Sequence, residues 1–146
     1  MKFWIIALVS MIILGLVWYY RSHPLMAKVV IRGQYIGVEV AATDAQKQRG
    51  LGGRPSMPAS AGMLFPYDHK EDYNFWMRDM QFPLDFIWID GETVVDITEN
   101  VLPPRPGEKP AIVKPRVLVD KVLEVNAGTV KRLGIVIGDK AEFLDL

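Results

Sequence analysis

Residues 73–91, YNFWMRDMQFPLDFIWIDG, set the strongest limit on how this 146-residue chain can fold. Phe75, Trp76, Met77, Phe82, Phe86 and Trp88 crowd into one short stretch that also carries Arg78, Asp79 and Asp85. A solvated loop would not gather so many large apolar groups, and a plain core strand has no need of three charges. Residues 84–90 carry apolar groups on both faces, the pattern of a central strand covered on either side. Asp90-Gly91 then turns the chain towards Val94, Val95 and Ile97, which predicts a hairpin. The stretch therefore belongs both to a β core and to a surface site.

The rest of the chain has the same texture. Residues 28–32 and 35–41 alternate around Gly33-Gln34 as a second hairpin. Thr43 with Gln46 three positions on is a capping box, so a short helix starts there and Gly50 ends it. Residues 62–67 are apolar, with Pro66 marking an edge, bulge or strand end. The charged run 68–72 reads as a solvated loop. The PPRPGEKP stretch within 102–110 reads as an extended surface loop. A short strand is expected at Ile112-Val113 and a longer one over 119–125. A helical turn capped by Thr129 stops at Gly134, and residues 140–146 close the sheet with Ala141 and Phe143 on one face. The expected fold is mainly β, a compact barrel or sandwich with one or two short helices, behind a single transmembrane helix.

That helix is read from residues 3–20, FWIIALVSMIILGLVWYY, which contain no charge. At about 1.5 Å per residue they reach roughly 27 Å, enough to cross hydrocarbon. Trp4 at one end and Trp18, Tyr19 and Tyr20 at the other suit the two interfaces. A cleaved signal peptide is the alternative, but bulky rings stand where small cleavage-site residues belong. Residues 1–21 are thus an anchor or signal-like segment, 22–27 a linker and 28–146 one domain. Expected localisation is the bacterial inner membrane, single-pass, with the C-terminal domain periplasmic; secretion after cleavage is the alternative. The 17 basic and 17 acidic residues balance, so no long-range field for nucleic acid is expected. Absent cysteines exclude disulfides and thiolate zinc sites.

Five motifs in order resemble the DUF192 family, an uncharacterised conserved family of small β-rich domains. They are QRGL at 48–51, GMLF at 62–65, FWMRDMQFPLDFIWID at 75–90, VLEVNAG at 122–128 and LGIVIGD at 133–139. The resemblance spans residues 38–143. Family patterns read RGLM-x-R and FWMKNT-x-x-PLD; here Gly52 takes the methionine position, and Asp79 and Met80 replace the Asn-Thr pair. The resemblance supplies no activity, and it agrees with an exported domain.

Candidate site residues follow from the central stretch. Trp76 and Arg78 alternate onto one strand face, where an indole can stack on a sugar or planar ligand and a guanidinium can hold an anion. Asp79 and Asp85 flank a turn at Pro83 and are the carboxylates available for an acid–base pair. Arg49 and Arg54 are possible partners for those acids or for a ligand. The only histidines are His23 and His69, there is no G-x-S-x-G elbow, and no Walker or dinucleotide fingerprint occurs, so no metal or cofactor is expected. The favoured reading is a noncatalytic binding or assembly module for an envelope carbohydrate, peptide or protein, with membrane lipid met through the N-terminal helix. The alternatives are a small hydrolase or lyase using Asp79 and Asp85, and a stabilising partner of another membrane protein.

Overall fold

A computed structural model describes residues 27–146. The anchor assigned to residues 1–21 and the rest of the N-terminal segment lie outside them. Among the described residues no helix is long and apolar enough to cross a membrane. The chain forms β1 (Ala27–Ile31), β2 (Gln34–Val40), α1 (Asp44–Arg49), β3 (Ala61–Glu71), β4 (Phe75–Trp76), β5 (Leu84–Asp90), β6 (Thr93–Val101), β7 (Ile112–Val113), β8 (Val119–Asn126), α2 (Thr129–Leu133) and β9 (Ala141–Leu144). Seven strands make one sheet in the order β6-β5-β8-β3-β2-β1-β9, and β4 with β7 makes a two-stranded ribbon. Every pairing is antiparallel except β2 with β3, which the crossover through α1 makes parallel. The sheet curls into a half-barrel until its edges touch: Val94 N–H donates to Asp139 O at 2.9 Å, and Ala141 N–H to Glu92 O at 2.9 Å.

Strand alternation divides the apolar residues between two cores. On the concave face Leu64, Ile87, Ile89, Leu123 and Val125 pack with Val29, Ile31, Ile36 and Val38. On the other face Met63, Phe65, Phe86, Trp88 and Val122 pack under Leu51, Phe75, Met77 and Met80. This is why β5 is apolar on both sides. Phe75 joins the second core through edge-on contacts, with ring centroids 5.0 Å from Phe65 and 5.7 Å from Trp88.

Both hairpins form. Arg32 and Gly33 take positive φ in the first, as a two-residue turn requires. In the second Asp90 pairs with Thr93, so the turn residues are Gly91-Glu92, one position later than the sequence indicates. Two expectations are corrected. The charged run is not a loop: β3 continues past Pro66 through Glu71 and carries most of it as exposed strand. Pro66 is tolerated because β2 stops pairing at Val40–Leu64, so only β8 lies beside it, and the register breaks after it. Likewise 73–80 is not one strand: only Phe75–Trp76 pairs, and Asp79 turns the chain at φ 58°.

Candidate functional site

The second core is lidded by two segments whose surfaces form a pocket. One is α1 with the loop after it. Thr43 and Gln46 make the expected capping box, Gln46 N–H donating to Thr43 Oγ1 at 3.3 Å and Thr43 N–H to Gln46 Oε1 at 2.9 Å. The helix presents Lys47 and Arg49 in its last turn, and Gly50 ends it. The other lid segment is 75–80. Phe75, Met77 and Met80 point into the core while Trp76 and Arg78 stay outside, and Met77 N–H donates to Ala111 O at 2.9 Å.

Hydrogen bonds to and from the Gly53 backbone clamp the lids together. Gly53 N–H donates to Asp79 O at 2.8 Å, and Gln81 Nε2 donates to Gly53 O at 3.3 Å. Gly52 allows this closeness: a Cβ there would lie 3.1 Å from Arg49 O and 3.2 Å from Arg78 O. The clamp brings Arg49 and Arg78, separated by 29 positions, to one rim.

Between the lids lies a small cavity of about 70 Å³, lined among others by Lys47, Arg49, Tyr67, Trp76, Arg78 and Glu124. Trp76 is 48% exposed, and the Arg78 guanidinium lies 4.0 Å from its ring centre. Lys47 Nζ lies 4.3 Å over the Tyr67 ring, which stacks on Tyr73 at 3.6 Å. Burial, then the neighbouring Tyr73 and Glu124, push the Tyr67 hydroxyl up to about 12. Glu124 itself is buried in β8 between Met63 of β3 and Phe86 of β5. Its Oε2 has no hydrogen-bond partner, and burial pushes its carboxyl up to about 8.

The residues expected from sequence separate into three groups. Trp76, Arg78 and Arg49 meet at the pocket. Arg54 is instead held by Glu39 through two bonds of 2.6 and 2.8 Å. Asp79 is exposed, 3.8 Å from Arg78. Asp85 is fully buried, and both its oxygens are taken: Asn100 N–H donates to Oδ1 at 2.8 Å and Val130 N–H to Oδ2 at 3.0 Å. Asp79 and Asp85 thus share no cleft, and the acid–base geometry expected for a hydrolase is not formed. Asp85 also corrects the cap of α2. Thr129 makes no cap bond; Gly128 occupies the position, and the Asp85 carboxylate receives the helix N–H. Among the described residues no three His, Asp or Glu side chains cluster as a metal site requires.

Glu124 is not among the residues the central stretch points to. Its signal is a lone carboxylate in the apolar run 122–125, in phase with Val122. Alternation alone gives that phase a mixed face, because Arg116 and Asp120 share it with Leu118 and Val122.

The family model for DUF192, described as an uncharacterised ACR, matches residues 27–143. Among curated proteins none matches the sequence. A crystal structure of a candidate transcription regulator from Sinorhizobium meliloti 1021 is similar at 35% identity and TM-score 0.71, over 80% of this chain and 91% of that one. A protein of unknown function from Novosphingobium aromaticivorans DSM 12444 is similar at 30% identity and TM-score 0.73, over 82% of this chain and 89% of that one.

Proposed function

We propose that this chain, which belongs to the DUF192 family, is a noncatalytic recognition module of the cell envelope. Residues 1–21 tether it to the inner membrane, and its periplasmic domain binds an envelope carbohydrate, peptide or protein. The observation that carries this reading is the Trp76–Arg78 pair. An indole left half exposed beside a pocket, with a guanidinium on its face and a rigid aromatic core beneath, is a preorganised contact surface. Its neighbours Phe75 and Met77 hold it in place by being buried. The separation of Asp79 from Asp85 speaks for binding over turnover. One structural neighbour is described as a transcription regulator, but 17 basic against 17 acidic residues give this chain no net field for a phosphate backbone.

The test is ligand-dependent thermal stability of the full-length chain against a panel of envelope sugars and peptides. A ligand that binds the native state raises the melting temperature saturably, and a folded Trp76→Ala variant is expected to lose that rise. A rise that persists unchanged in Trp76→Ala contradicts the reading.

A protein partner is the second reading, favoured by Leu102, Ile112, Val117 and Leu118, which stand exposed around the Pro-rich loop. One stoichiometric membrane protein, co-purifying with the native chain and lost when the anchor is exchanged, would support it.

A further inference from the structure

Glu124 performs no task within the fold. Its Oε2 is buried without a partner, and an apolar residue beside Met63 and Phe86 would avoid the cost of taking an acid out of water. A buried polar atom left unsatisfied at a pocket wall calls for an explanation outside the fold's own bonding. The surroundings indicate what would satisfy it. The cavity of about 70 Å³ is the volume of roughly two water molecules. It admits a small functional group and not a sugar ring. Three cationic side chains, Lys47, Arg49 and Arg78, line the same space. Lys47 and Arg49 have no carboxylate partner among the described residues. An amine entering the pocket would meet three like charges, whereas an anionic group finds counter-charge at the rim.

We propose that Glu124 forms the floor of a subsite for a ligand carboxylate, donating the proton of its neutral carboxyl group to it while Lys47, Arg49 and Arg78 hold the charge. The inference rests on the recognition reading and narrows its ligand to one bearing a carboxylate. Hydrogen bonds from an acid to a carboxylate are short and charge-assisted. Trp76, half exposed at the same pocket, is placed to cover the remainder of the ligand. Burial keeps the carboxyl neutral to about pH 8, so it is a donor at neutral pH. The groups facing it are Met63, Phe86 and Phe65 on the sheet, Tyr67 on β3, and the three cations on the lids. Tyr67, pushed up to about 12, stays neutral up to pH 9.5.

Two sources of carboxylate suit an envelope site, a sugar acid and a peptide C-terminus, and matched probes separate them. The full-length chain is titrated at pH 6.5 and pH 9.5 with N-acetylmuramic acid against N-acetylglucosamine, and with acetyl-Ala-Ala against its C-terminal amide. For at least one pair the acid is expected to bind about tenfold or more tighter than its neutral partner at pH 6.5, and to lose that advantage at pH 9.5. Glu124→Gln, which keeps an N–H donor, should make binding independent of pH; Glu124→Leu should reduce the preference for the acid several-fold, leaving what the three cations supply. Neutral partners binding as tightly as the acids, inorganic phosphate competing as well as either acid, or a preference unchanged in Glu124→Leu would each overturn the carboxylate subsite. If neutral probes bind equally and Trp76→Ala removes that binding, only this inference falls. If the acids bind through Glu124 but Trp76→Ala changes nothing, the recognition reading falls instead. No binding by any probe overturns the inference.

Discussion

Two buried acids, Asp85 and Glu124, show how the same residue type is kept for opposite reasons. Asp85 accepts one N–H at Asn100, whose φ of 53° turns the end of β6, and another at Val130, the start of α2. It therefore ties a strand end to a helix start. Asp85→Ala leaves the buried Val130 N–H without an acceptor and frees the part-buried Asn100 N–H, and is expected to cost about 1–3 kcal/mol, read as a lower denaturant midpoint. Glu124 has no such partners, and its carboxyl sits near 8 against an ordinary 4.5. The folded state thus holds a proton that the unfolded chain releases. Its contribution is fully present below about pH 4.5 and is lost as pH rises towards 8, at about 1.4 kcal/mol per pH unit. Glu124→Gln should flatten that slope and melt higher than the parent chain at pH 8, with the gap closing towards pH 4. A parent chain equally stable at both ends of this range would contradict the assignment of a neutral buried acid.

Elements were legible in this sequence where a local rule fixes them. The capping box of Thr43 and Gln46 formed α1, and alternation set Trp76 and Arg78, which are exposed, apart from Phe75 and Met77, which are buried. The sequence failed where a partner distant in the chain decides the outcome. The charged residues 68–71 extend β3 because β8 still pairs with it at Glu71. Thr129 is no cap because Asp85, 44 positions earlier, supplies the acceptor. Nothing local to Glu124 shows that α1 and 75–80 cover it. The same logic gives a prediction for the lids. Gly52→Ala inserts a methyl group 3.1 and 3.2 Å from two backbone carbonyls and should force the loop away from Arg78. Ligand affinity at the pocket is expected to fall at least about tenfold, while stability drops by only about 1–3 kcal/mol.

Across the whole molecule, the half-barrel keeps its stabilising core separate from its site. The concave core binds β1, β2 and β9 together, while the second core ends at the lids that form the pocket. Acid acts on a different set of contacts. Asp96 accepts bonds from Arg116 and from the N–H groups of Arg116 and Ile97, and Glu39 from Arg54. In each pair the arginine's hydrogen bonds outweigh burial and hold the carboxyl below its usual range. Their stabilisation is present above the ordinary carboxylate range and is lost as pH falls through the lowered values. Stability should therefore peak in mildly acidic solution, declining below about pH 4 as these pairs protonate and above about pH 5 as Glu124 resists ionisation. The most direct test of a recognition site at the pocket is NMR of the indole N–H groups of the full-length chain during titration with N-acetylmuramic acid. Trp88 Nε1–H is buried against Thr98 Oγ1 at 2.9 Å and serves as the internal control. The account predicts a saturable shift of the Trp76 signal with Trp88 unmoved. Saturable binding that leaves Trp76 unshifted would contradict it.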